Sequence, residues 1–149
     1  MKKSKPWQFI KGHGLLLIII LAFVYRMIFF VSLQPWNSDS VRDEVIIGDA
    51  LEYHPLAESI LQSKSFENFT SLRTPGYPLF VALIYSFSAS SVWLVLLFQI
   101  IISLVSLYLV YKITLLAASR KVALLAAFLF SIDTTQAVWT VELYTETLF

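Results

Sequence analysis

Apolar residues are gathered into long blocks along this chain, separated by shorter polar segments. The two longest blocks are Leu15 to Leu33 and Val92 to Leu116. At about 1.5 Å per helical residue, each block can cross a bilayer core of roughly 30 Å. Two further apolar stretches, 122–138 and 141–149, predict a third span and the start of a fourth. The pattern therefore predicts an all-α integral membrane protein.

The third and fourth stretches carry polar residues. Asp133-Thr134-Thr135-Gln136 interrupts the third after about 16 Å of helix. Either this polar cluster is buried against protein or the span continues to about Val138. Glu142 and Glu146 lie in the fourth stretch, which is still apolar at Phe149. We expect residues 1–149 to be the N-terminal part of one longer membrane domain.

Residues 34–91 form a loop between the first two spans, and two short helices are predicted in it. Apolar residues recur at helical spacing from Tyr53 to Leu61, which indicates an amphipathic helix lying in the membrane interface. We place a turn at 49–54 and Pro55 at the first position of that helix. Pro78 is expected to open a second helix, Leu79 to Phe87, which is too short to span and which the polar stretch 88–91 ends.

Charge sets the predicted orientation. Only 14% of residues are charged against 58% hydrophobic, and a net charge of +1 gives no general attraction to nucleic acid. Seven bases flank the predicted spans on the side opposite the acidic loop: Lys2, Lys3, Lys5, Lys11, Lys112, Arg120 and Lys121. The positive-inside rule then predicts a cytoplasmic N-terminus and an external loop. The first apolar block is longer than the core of a signal peptide, so we expect it to be a retained span.

Few residues suggest metal or redox chemistry. The chain has no cysteine, and its two histidines, His13 and His54, fall on opposite sides of the first span. No metal site is therefore predicted from these residues.

Arg26 lies inside the first span, where an ionisable group is costly unless paired. It either extends to the interface or faces the helix bundle and pairs with a carboxylate or a lipid phosphate.

Two motifs in the loop carry a resemblance. They are Gly48-Asp49-Ala50-Leu51-Glu52-Tyr53 and Arg73-Thr74-Pro75-Gly76-Tyr77-Pro78. Together they resemble the GT-C superfamily of membrane glycosyltransferases, which includes protein O-mannosyltransferases and lipid A aminoarabinose transferases. The resemblance implies a GT-C helical bundle in a bacterial inner membrane. It also implies inverting transfer of a sugar from a polyprenyl-phosphate carrier to a lipid, glycan or protein acceptor on the external side.

The resemblance also implies roles for particular residues. Asp49 matches the acidic residue that acts as the general base after the first span, and the pair Asp43-Glu44 is a competing match. Helix capping is the alternative for Asp49. Arg73 resembles the basic residue that meets the carrier phosphate, for which an arginine fork is well suited. A lipid headgroup anchor is the alternative for Arg73.

Supporting roles are implied for Tyr53, Tyr77, Arg26 and Glu146. Tyr53 belongs to the first motif, and Tyr77 either lines the sugar site or joins the interfacial aromatic belt. Glu146 resembles the Ser/Thr-Glu element of the superfamily's fourth span, with pairing to Arg26 as the alternative. Asp133 stands where relatives often have proline. Members differ in using a divalent metal, so the resemblance leaves that cofactor open.

Two other function classes fit the composition. A transporter or channel subunit could line a polar path with Arg26, Asp133, Glu142 and Glu146. Its binding groups should then lie near the bilayer midplane, whereas most acids here fall in the loop. A non-catalytic membrane assembly protein would need no pairing of Asp49 with Arg73. A glycosyltransferase should add several further spans to this chain.

Overall fold

The computed structural model describes residues 6–41, 45–63, 75–88, 90–143 and 145, and this part of the chain is all-helical. Seven helices follow one another: α1 (Pro6–Ser32), α2 (Ser38–Ser40), α3 (Ala50–Ser63), α4 (Gly76–Ser88), α5 (Val92–Ala117), α6 (Arg120–Ser131) and α7 (Thr134–Trp139). The predicted all-α class is confirmed for these residues.

Two helices are long and apolar enough to cross a membrane. They are His13–Ser32 within α1 and Val92–Ala117, which is α5. Only 17% and 39% of their most apolar windows are buried inside the protein. Large apolar side chains such as Leu16, Ile28 and Ile113 are instead more than half exposed. Such broad apolar exposure is typical of surfaces that meet lipid or another protein.

Helices α1, α5 and α6 pack against one another through small residues. Ala22 of α1 and Ala127 of α6 are fully buried with Leu107 of α5, and a Cβ added at Gly14 would lie 3.5 Å from Leu124. Small side chains let helix backbones approach closely. Gly14 of α1 lies beside Leu124 of α6, and Arg26 further along α1 contacts the backbone oxygen of Ser131 further along α6, so α1 and α6 are parallel. The α5–α6 pair is an antiparallel hairpin.

The third apolar stretch is not the single helix 122–138 that the hydropathy pattern predicts. Helix α6 ends at Ser131, and α7 begins at Thr134. Asp133 separates them because its carboxylate Oδ1 accepts hydrogen bonds from the backbone nitrogens of Thr135 and Gln136, at 2.9 and 3.3 Å. The aspartate therefore acts as an N-cap, and its own backbone is extended rather than helical.

The two loop helices begin earlier than predicted. Helix α3 starts at Ala50 and contains Pro55, so the turn placed at 49–54 is wrong. Pro55 lies in the second turn of α3, where it removes the backbone hydrogen bond that an N–H at this position would make to Leu51 O. Helix α4 starts at Gly76, and its first bond runs from Leu79 N to Pro75 O at 3.1 Å. The break predicted at 88–91 separates α4 from α5.

Candidate functional site

Asp49 is the last residue before α3. Its backbone oxygen accepts from Glu52 N at 3.0 Å and Tyr53 N at 3.2 Å, as the residue before a helix does. Gly48 precedes it with a φ of 54°, a left-handed conformation that glycine adopts without strain. Ala50 and Tyr53 are buried, so the start of α3 is fixed against the rest of the protein. The Asp49 side chain is itself half-buried.

Tyr53 and Tyr77 join α3 to α4. Their rings meet edge to face, with centroids 5.0 Å apart and planes at 70°. Tyr77 is fully buried, which does not fit the alternative that it joins an aromatic belt at the membrane interface. Its hydroxyl points to Gln99 Oε1 of α5 at 3.5 Å. This aromatic pair holds the Asp49 end of α3 close to the α5 helix.

The side chain of Gln99 also forms a hydrogen bond with the segment that follows α7. It is fully buried, and its Nε2 donates to the backbone oxygen of Glu142 at 3.0 Å. The segment Thr140 to Leu143, where the fourth span was predicted to begin, is a turn in the structure. The buried amide group of this glutamine, inside an apolar helix, thus has a hydrogen-bond partner on the backbone of a different element. Gln99 ties the turn after α7 to the middle of α5.

Arg26 faces the interior of the bundle rather than the interface. Its Nε donates to Ser103 Oγ at 2.8 Å, and Nη1 contacts the backbone oxygens of Ala22 and Ser131 at 3.3 and 3.4 Å. Ser131 is the last residue of α6, so the cation lies at the negative end of that helix. Nη2 is buried with no hydrogen-bond partner among the residues the structure describes. The guanidinium carbon also lies 5.9 Å from the centroid of the Phe130 ring.

The remaining predicted site residues are not placed by the structure. Asp43, Glu44, Arg73 and Glu146 lie outside the described residues. The competition between Asp49 and the Asp43-Glu44 pair therefore stays open, as do the phosphate role of Arg73 and the pairing of Glu146 with Arg26. Of the predicted site residues, the structure brings together Tyr53 and Tyr77 at the start of α3, where Asp49 also lies. Arg26 belongs to a separate polar cluster along α5.

An open groove at the same end of the bundle was not predicted. We call it the tryptophan groove; its lining includes Trp36 and Ser38 after α1, His54 and Glu58 of α3, and Ser91 and Trp93 at the start of α5. Its volume is about 450 Å³, within the usual range of small-molecule sites. Because residues after α1 and residues opening α5 share one groove, those two helix ends lie side by side.

His54 connects the groove to the protein core. Its Nδ1 lies 2.8 Å from the hydroxyl of Tyr85, and its Nε2 lies 3.8 Å from Glu58 Oε1. Burial raises the pKa of Tyr85 above its ordinary value, and the nearby charge of Glu58 adds to this rise. The phenol thus stays protonated, and its O–H can donate to Nδ1 in the tautomer that carries the imidazole hydrogen on Nε2. The spacing of His54 and Glu58 by one helical turn was a usable sequence signal, but Tyr85 is 31 residues away.

The arrangement can transfer protons and bind hydroxyl groups. A half-buried carboxylate, Asp49, and a histidine with one nitrogen fixed both lie on α3 or at its start. Among the described residues no three His, Asp or Glu side chains are grouped closely enough to hold a metal ion. Asp49 and His54 could support general acid–base chemistry.

No family of known proteins has a model that matches this chain. No curated protein and no solved structure matches it either.

Proposed function

We propose that this chain is the N-terminal part of a membrane glycosyltransferase that uses a polyprenyl-phosphate-linked sugar as donor. The observation that carries the proposal is the position of Asp49. A half-buried carboxylate opens a helix that is packed, through Tyr53 and Tyr77, beside the adjoining ends of two long apolar helices. A lipid-linked donor would present its phosphate and sugar at such a place.

In the proposed reaction, Asp49 takes the proton of an acceptor hydroxyl. The acceptor oxygen then forms a bond to the anomeric carbon of the sugar, and the bond from that carbon to the phosphate oxygen breaks. The electron pair leaves with polyprenyl phosphate, and the anomeric configuration inverts. Arg73 is proposed to stabilise the phosphate that leaves, since a guanidinium fork matches its oxygens.

The lipid setting is supported by the surface of α1 and α5. Their apolar side chains are exposed along most of each helix, as in Leu17, Val24, Ile101 and Leu109. A polyprenyl tail needs an apolar face next to the reacting centre. We propose that α1 and α5 cross the inner membrane of a bacterium, with α3 and α4 on the external side.

A second candidate, a transporter subunit, is favoured by one observation. Arg26 is buried where α6 ends, about 9 Å from the end of α1 at 1.5 Å per residue. Broken helices beside a buried ion site are typical of transporters. Here, however, the end of α6 is occupied by the protein's own arginine. The glycosyltransferase is the stronger proposal because three acidic residues, Asp49, Glu52 and Glu58, lie on α3 or directly before it.

The test is sugar transfer by the full-length protein in liposomes. Polyprenyl-phosphate mannose, glucose and aminoarabinose, each labelled in the sugar, are supplied with membrane extract as the source of acceptor. We expect one donor to be consumed with release of polyprenyl phosphate. Arg73→Ala should weaken donor binding and Arg73→Lys should restore it only in part, while Arg120→Ala, at the first residue of α6, serves as the control. Solute flux without consumption of any donor would favour the transporter instead.

A further inference from the structure

We propose that the tryptophan groove binds the sugar ring of a neutral saccharide acceptor, and that His54 and Glu58 together hold one of its hydroxyl groups. This inference rests on the proposed function for the acceptor role, but the binding itself can be measured without any transfer. It selects a glycan among the lipid, glycan and protein acceptors left open by the resemblance.

The walls of the groove suit a sugar ring. Trp36 is 58% exposed and Trp93 is 37% exposed, so each presents part of an aromatic surface to the groove. Tryptophan offers a large apolar face together with one N–H donor. The C–H faces of a sugar ring can pack on such a surface while its hydroxyls turn towards polar groups. Two large aromatic side chains exposed in one groove point to a ligand of this amphipathic kind.

The polar lining suits hydroxyl groups. Ser38, Ser90 and Ser91 contribute hydroxyls, which both donate and accept hydrogen bonds as sugar hydroxyls do. Ser91 Oγ donates to Ser88 O at 2.5 Å, so this hydroxyl is oriented and its lone pairs remain acceptors. A few oriented polar groups within an apolar lining are what fix a small ligand in its site.

The side chains of His54 and Glu58 are placed so that one ligand hydroxyl can contact both. Tyr85 is 2% exposed, and its buried O–H needs an acceptor, which Nδ1 of His54 supplies at 2.8 Å. The neutral imidazole then carries its hydrogen on Nε2. The 3.8 Å between Nε2 and Glu58 Oε1 is too long for a direct hydrogen bond. A ligand hydroxyl to one side of the pair, about 2.8 Å from each of the two atoms, can accept from Nε2–H and donate to the carboxylate.

The charge of the groove disfavours a phosphate at this position. Glu58 lines it, and no lysine or arginine does among the residues that the structure describes. An anion here would face a carboxylate at close range. The groove is therefore assigned to the acceptor rather than to the carrier phosphate. Its residues also bracket Asp49 along the chain, since Ile46 and His54 both line it.

Saccharide binding can be measured with the full-length protein in phospholipid nanodiscs, without glycoside detergents that would compete for the groove. In the 149 residues there are four tryptophans. Trp7→Phe and Trp139→Phe leave Trp36 and Trp93 as the reporters of this chain, and the same protein with Trp36→Phe and Trp93→Phe supplies the fluorescence background. The probes are methyl mannoside, methyl glucoside and maltose, with glucuronate as the charged counterpart. We expect a saturable fluorescence change with a neutral probe and weaker binding of glucuronate.

Variants locate the site. His54→Asn can keep a contact to Tyr85 but has no atom at Nε2, and we expect its affinity to fall by about tenfold, the effect of one lost hydrogen bond of about 1.4 kcal/mol. Trp36→Ala, at an exposed position, should weaken binding similarly, as seen by saturation-transfer NMR on the probe. His13→Asn, on an exposed histidine of α1, is the control and should bind like the unchanged protein.

Two results would overturn the inference. One is the lack of a saturable signal with any neutral probe, by both fluorescence and NMR. The other is binding that neither His54→Asn nor Trp36→Ala weakens. These results are distinct from failure of the proposed function, in which saccharides bind as expected but no polyprenyl-linked donor is consumed.

Discussion

Arg26 of α1 and Ser103 of α5 are joined by a hydrogen bond of 2.8 Å that is buried between the long helices. The same guanidinium contacts the backbone at the end of α6, so a single side chain connects three helices. It lies between the small-residue packing of α1 with α6 and the apolar cluster around α3 and α4. The stability of the bundle should therefore depend more on the hydroxyl of Ser103 than on that of any other serine in α5.

Ser103→Ala should lower the free energy of unfolding by about 1–3 kcal/mol, because it leaves the Arg26 Nε buried without its acceptor. Ser106→Ala is the matched control. That hydroxyl bonds only within its own helix, to Ile102 O at 3.2 Å, and its loss should cost much less. Denaturant unfolding in mild detergent measures both. Equal effects of the two substitutions would contradict a special role for the Arg26 contact.

Asp133→Ala should destabilise the protein by about 1 kcal/mol, since it removes the side chain that caps α7. Asp133→Asn should retain most of the stability because an amide oxygen can accept the same backbone hydrogen bonds. The same unfolding measurement applies. If the asparagine variant loses as much as the alanine variant, the negative charge rather than the cap is what matters.

Ionisation of Tyr85 should lower the stability of the folded protein at alkaline pH. Its folded-state pKa lies above the ordinary value of 10.0, so the folded protein holds the phenolic proton more tightly than the unfolded chain. The contribution is complete below about pH 10 and is lost as pH rises from there towards the folded-state pKa. Tyr85→Phe should flatten this fall, whereas Tyr108→Phe, at an exposed site of α5, should retain it. Unfolding followed between pH 8 and 11.5 tests the difference.

Orientation in the membrane is tested by cysteine labelling, which is simple because these 149 residues contain no cysteine. Ser38→Cys, in the loop, should react with an impermeant maleimide added to intact cells. Ser119→Cys, in the turn between α5 and α6, should react only after the membrane is opened. The opposite pattern would reverse the proposed topology and place Asp49 on the cytoplasmic side.

Hydropathy alone predicted the long helices closely, because an uninterrupted apolar run of about 20 residues has few other folds. It also predicted the break at Ser88 to Ser91. The break at Asp133 was harder to interpret, since a polar cluster in an apolar stretch can be either buried or a cap. The start of α3 was predicted wrongly from Pro55, because a proline near a helix start can stand at the first position or a turn further in.

The sites were predicted less well than the helices. Asp49 was singled out through its motif; its place before α3 fits helix capping, and its catalytic role stays a prediction. The contact of His54 with Tyr85 depends on how α3 packs on α4, and no local pattern encodes that packing. Tyr77 shows the same limit: an aromatic residue beside a predicted interface fits an aromatic belt equally well, and only the packing of α3 and α4 puts it in the core.

The central claim is that Asp49 is the general base of sugar transfer, and the most direct measurement compares turnover with carrier affinity in the full-length protein. Asp49→Asn keeps the size and capping ability of the residue but removes the base. Turnover should fall by about 100- to 10,000-fold while the affinity for the polyprenyl-linked donor is retained. Asp39→Asn, at an exposed aspartate of α2, should leave both unchanged. Near-normal turnover of Asp49→Asn would contradict the claim and make Asp43 or Glu44 the next residue to test.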